Sequence, residues 1–122
     1  MENPWRKLPE MAPFVLACDQ QRVRDFNATA KTRHEIHVEI LPEPYTGNPE
    51  AGILLLNLNP GFYESNERFL TGNEHFVKTS RANLVHEQLD YPFYLFEPGN
   101  IASPGYYWWS RKLKPLIQAF GL

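Results

Sequence analysis

Three places in this 122-residue sequence carry residue types that could do chemistry. The first is Asn59-Pro60-Gly61-Phe62, which follows the longest uninterrupted aliphatic run, Ile53 to Leu56. Proline has no N–H to offer a ladder, so a strand over that run must end at Pro60. Gly61 permits a positive φ or the close approach of a ligand to the backbone. Sites in open α/β sheets lie just past the carboxyl ends of strands, which makes Asn59 to Phe62 the first place to look. Asn-Pro-Gly after a strand is also an ordinary turn. The second place is Arg111, Lys112 and Lys114, close to Trp108. Cations interleaved with aromatics suit nucleic acid, and three cations in a helix equally make a solvated face. The third is His37 between Glu35 and Glu39. It is half of a metal site at most, and with one histidine and no nearby partner it reads as a solvated strand face. His75 and His86 come without a carboxylate cluster, Cys18 has no adjacent histidine, and there is no glycine-rich phosphate loop. The expectation is no metal and no cofactor.

These residues need elements to position them. Glu35 to Ile40 alternates strictly, with Ile36, Val38 and Ile40 on one side, and predicts a half-exposed edge strand. Ile53 to Leu56 is apolar at odd and even positions alike, the mark of a central strand buried on both faces. The proline-rich stretch from Leu41 to Ala51 connects the two as a loop. Asp19 caps a short helix over Gln20 to Ala28, and Asn73 caps a second from Glu74 to about Leu89. Phe62 to Gly72 is polar and ambiguous. Ser103 and Pro104 start a third helix, as N-cap and first helical residue, that ends at Gly121. Tyr106, Trp109, Leu113, Leu116, Ile117 and Phe120 recur on it at helical spacing and predict an inward face. The three prolines of residues 1–18 predict irregular structure, tied to the body by Trp5, Phe14, Val15 and Leu16.

Length and composition set the outer limits. The length suits one domain, over residues 1–122, able to bury roughly two-thirds of its unfolded surface. The formal net charge of −2 argues against wrapping nucleic acid by charge alone, but not against a local basic patch. A single cysteine forbids an internal disulfide. The N-terminus lacks the apolar core of a signal peptide, and no apolar run approaches the length needed to span a bilayer. The default is a cytoplasmic protein with no membrane partner.

Leu58-Asn59-Pro60-Gly61-Phe62, at the end of the aliphatic run, resembles the first motif of the uracil-DNA glycosylase superfamily. It is most similar to the mismatch-specific and single-strand-selective branches. Gly72-Asn73-Glu74-His75-Phe76 resembles the Gly-Asn-His-Phe segment of the mismatch-specific enzymes, with an inserted Glu. The wider order of proline-rich approach, strand, Asn-Pro-Gly-Phe, helix, Tyr91-Pro92-Phe93-Tyr94 and a Trp108-Trp109 helix resembles a bacterial group of that glycosylase-like fold.

The resemblance implies an α/β fold, a three-layer α/β/α sandwich around a short, mainly parallel sheet. It implies that Asn59 positions the water that attacks the sugar C1′ of a flipped deoxyuridine or other deaminated nucleotide. Pro60 and Gly61 would line the approach, and Phe62 or Phe76 would stack on the base. A base must leave the duplex stack to be worked on. An amide orients water but is a poor base, so positioning and electrostatics would carry such a reaction. The family's second motif, His-Pro-Ser or a relative, has no counterpart, because the sequence contains no His-Pro pair. Two strands are also too few for an independent sheet. The expectation is therefore that residues 1–122 are the N-terminal part of the domain, or that a second copy or another partner completes the sheet.

Three functions follow as expectations. One is base excision from DNA, an N-glycosylase hydrolase. A second is binding of a nucleobase, or of single- or double-stranded DNA, without catalysis. The third is an interaction module whose aromatics, Tyr91 to Phe96 with Trp108 and Trp109, form core or interface.

Overall fold

The computed structural model describes residues 2–57 and 62–121. Four α-helices carry the architecture: α1 (Gln20–Thr29), α2 (Glu64–Gly72), α3 (Glu74–Leu84) and α4 (Pro104–Phe120). Short 3-10 turns form at Pro4–Lys7, Thr32–His34, Tyr94–Phe96 and Pro98–Asn100. About half of the described residues are helical, and none of the described residues is in a strand.

The expected α/β/α sandwich is therefore corrected to an all-helical fold, and both predicted strands have a local reason for failing. Ile36, in the supposed edge strand, has its backbone taken by a side chain. Asn27 of α1 accepts from Ile36 N–H at 2.8 Å and donates to its carbonyl at 2.9 Å. Val38 accepts from Phe14 N–H at 2.7 Å, and the chain turns at Val38 to Ile40. The backbone bonds a neighbouring strand would supply come instead from α1 and the N-terminal arm. Ile53 to Leu56 takes no regular structure and finds no ladder, and its side chains are between 45% and 89% exposed rather than buried.

Helix α3 is the hub. Phe76, Thr79, Ser80, Ala82, Asn83 and Leu84 are all buried on it. One core cluster gathers Leu8, Leu16 and Leu41 around Leu84, with Trp5, Phe14 and Val77 against it. A second gathers Phe76, Tyr94 and Leu95, covered by Phe69, Leu70, Leu89, Phe93 and Trp109. The proline-rich arm is anchored to the body through Trp5, Phe14 and Leu16, as expected, and polar bonds tie it to α3 as well. Asn3 donates to the Leu84 carbonyl at 2.7 Å, and Arg81 donates to the Pro9 carbonyl at 2.7 Å while lying over the Phe14 ring.

The helix boundaries follow cap chemistry. Asn73 closes α2 with its N–H on the Phe69 carbonyl and opens α3 by accepting from Phe76 N–H at 2.9 Å. One residue thus joins two helices. Helix α3 stops more than a turn before the expected Leu89. His86 adopts the left-handed conformation at φ 61°, and Glu87 and His86 donate back to the carbonyls of Ala82 and Asn83. That pair of bonds is a Schellman closure, made here without glycine. Ser103 caps α4 and Gly121 ends it at φ 67°, as expected. The inward face predicted for α4 is corrected in its second half. Trp109 packs edge-on against Phe93 and Tyr106 against Phe96, whereas Leu116, Ile117 and Phe120 are exposed.

Candidate functional site

Asn59, Pro60 and Gly61 lie outside the described residues. Phe62, the next residue, is half-buried, and its ring stacks on His37 with centroids 3.5 Å apart and planes at 20°. His37 Nδ1 is 2.6 Å from Glu39 Oε1. The segment carrying this pair has no regular structure, yet it is fixed on both sides. Asn27 clamps Ile36, and Phe14 N–H bonds Val38, the residue between histidine and glutamate. The sequence pattern read His37 as a solvated position. Its i, i+2 spacing to Glu39 was the available signal, since that spacing lets the two side chains meet in a turn as well as on a strand.

Phe76 is 4% exposed, with its ring against Phe69 at 5.3 Å and Tyr94 at 5.8 Å. It is a core residue of α3, and the structure does not bring it to Phe62. The two rings expected to offer stacking faces therefore occupy different parts of the fold.

Arg111, Lys112 and Lys114 are all exposed on α4. Helical spacing places them in one arc with Tyr107 and Trp108, opposite Trp109. Tyr107 is 61% and Trp108 42% exposed, and Lys112 Nζ sits 5.5 Å above the Trp108 ring. Trp108 meets Trp109 edge-on at 4.8 Å, so one indole anchors the helix to the core and orients the other outward. The 17 residues of α4 include no aspartate or glutamate, although the chain has 14. The arc is thus a cationic and aromatic surface on an otherwise slightly acidic molecule.

The described surface also carries two hollows. One, of about 340 Å³, lies between the Gly47–Glu50 loop and the end of α3, with Asn83 and His86 on its wall. The other, of about 310 Å³, has Phe14, Leu41, Leu70 and Val77 as apolar lining and Glu10 and Glu39 at polar positions. Among the described residues no group of three or more His, Cys, Asp or Glu could hold a metal ion. No helix of the described residues is long and apolar enough to cross a membrane. No protein-family model, curated protein or solved structure matches the chain.

Proposed function

We propose that the protein binds single-stranded nucleic acid through the exposed arc of α4. The observation that carries this reading is the acid-free helix face on which Tyr107 and Trp108 stand exposed beside Arg111, Lys112 and Lys114. Cations on such a face meet phosphates, and an exposed indole gives any unstacked base a partner regardless of its identity. A net charge of −2 leaves little long-range attraction, so affinity would come from this patch.

Fluorescence anisotropy of a labelled mixed-sequence single strand tests it. Three phosphate contacts give a log Kd against log salt slope of magnitude about 2. Trp108→Ala should weaken binding by about 1–3 kcal/mol, the usual worth of one stacked base. The melting temperature should hardly move, because the ring is substantially exposed. Absence of binding at low salt, or unchanged affinity in Trp108→Ala, sinks the proposal.

A second reading, hydrolytic removal of a base from such a strand, is favoured by one observation. The ring that ends Asn59-Pro60-Gly61-Phe62 is stacked on a histidine already paired with a carboxylate. Release of free base from a strand containing deoxyuridine or deoxyinosine is its direct assay, and no release by the protein sinks it.

A further inference from the structure

We propose that the last two turns of α4 seat the protein on the surface of an anionic lipid bilayer. The inference goes beyond nucleic-acid binding and uses a different stripe of the helix. Tyr106, Trp109, Leu113, Leu116, Ile117 and Phe120 share one stripe at helical spacing. The first half of that stripe belongs to the body, since Tyr106 packs on Phe96 and Trp109 on Phe93. The second half runs past it. Every residue from Lys114 to Gly121 is exposed, including Leu116 at 44%, Ile117 at 36% and Phe120 at 69%. An apolar stripe carried beyond what it packs on adds little to folding, because its side chains stay in water.

The borders of the stripe say what covers it. At about 100° per residue, Lys112 falls on one side of the stripe and Lys114 on the other. No acidic residue on the helix neutralises them. A lysine lays its methylene stem along apolar surface and keeps its ammonium in the polar layer above. Leucine, isoleucine and phenylalanine with a lysine on each flank fit the boundary between acyl chains and phosphate headgroups. No helix of the described residues is long and apolar enough to cross a membrane, so α4 would lie in that boundary.

Other occupants fit less well. Packing stripe to stripe with a second copy would bring the lysines of two acid-free helices together with no opposite charge between them. A stable protein complex buries about 800 Å² on each partner. Two turns of a helix about 10 Å wide present only a few hundred Å². A bilayer sets no such threshold, because each apolar side chain partitions on its own.

Co-sedimentation of the full chain with extruded vesicles tests this at physiological salt, pure phosphatidylcholine being compared with equal parts phosphatidylcholine and phosphatidylserine. The protein should bind the anionic vesicles about 30-fold more tightly, since each lysine at such a surface is worth about fivefold. Lys112→Gln with Lys114→Gln should bring that ratio to within about threefold. Leu116→Gln with Phe120→Gln should weaken binding to the anionic vesicles by at least about tenfold. Both positions are exposed and glutamine is a good helix former, so the melting temperature of that variant should hold. No binding to anionic vesicles overturns the proposal, as does equal binding to the two compositions or unchanged binding by Leu116→Gln with Phe120→Gln. A dimer in sedimentation velocity that the same two substitutions dissolve, with no vesicle binding, assigns the stripe to a second copy and likewise overturns it.

Discussion

Tyr94 is fully buried and still carries a hydroxyl, which must find a partner or cost stability. Its partner is Glu43 Oε1 at 2.5 Å. Glu43 is exposed as a residue, but it turns its carboxyl end onto that buried phenol. Loss of hydration there raises the Glu43 pKa above the usual carboxylate range, against the opposing effect of the Tyr94 hydrogen bond. Burial, and then the Glu43 charge, push the Tyr94 phenol well above its ordinary value. The consequence for Glu43 runs opposite to that of an exposed salt-bridged acid. Its folded form holds the proton more tightly than its unfolded form. The stability it contributes is therefore fully present below the unfolded pKa and is lost as pH rises through the folded one. The melting temperature should fall over that window, just above the ordinary glutamate range. Glu43→Gln keeps an acceptor for Tyr94 and should flatten that part of the profile. Identical slopes for the two proteins in thermal melts from pH 4 upward would mean that Glu43 is hydrated in solution.

At the scale of elements, the sequence was most informative where structure is decided within a few residues. Asn73, Ser103-Pro104 and Gly121 mark helix ends because a cap needs only a side chain or a left-handed residue next to the orphan backbone groups. Those boundaries agree with the structure. The strands were illegible because a strand exists only through a neighbour, and alternation does not say where the neighbour is. Glu35 to Ile40 shows the difference, since a single asparagine from α1 satisfies both backbone groups of Ile36. His86 misleads in the other direction. It continues the helical pattern in sequence yet takes the left-handed turn that ends α3. The candidate site was legible in the basic arc of α4, whose aromatics and cations follow from helical spacing. The stack of His37 on Phe62 was not, because it depends on Phe62 arriving from a distant part of the chain. The clamp itself is testable. Asn27→Ala removes both bonds to Ile36, so amide exchange at Ile36 should accelerate by at least about tenfold, with a global cost of about 1–2 kcal/mol. Unchanged exchange at Ile36 would show that something other than Asn27 holds the segment.

Over the whole molecule, apolar residues divide into those that build the two core clusters and those that do not. Leu84 belongs to the first group, joining the N-terminal arm to α3, and both Asn3 and Tyr45 donate to its carbonyl. Ile53 to Leu56, the most apolar run in the sequence, belongs to the second, and so do Leu116, Ile117 and Phe120 at the far end of α4. Hydrophobicity alone would rank Leu54 with Leu84, whereas burial separates them. Truncating a buried leucine loses its transfer free energy and leaves a cavity, so Leu84→Ala should cost about 2–5 kcal/mol. Leu54 is already in water, and Leu54→Ala should stay within about 0.5 kcal/mol of the parent. Urea unfolding of both variants at micromolar protein measures the two costs side by side. A small cost at Leu54 means that the aliphatic run is solvated and the helical body stands on α3 and its two clusters. A cost like that of Leu84 would mean that Leu54 is covered in solution and that the core extends beyond α3. The midpoint should then rise with protein concentration if a second copy does the covering, because association adds stability by mass action, and stay constant if the chain covers itself.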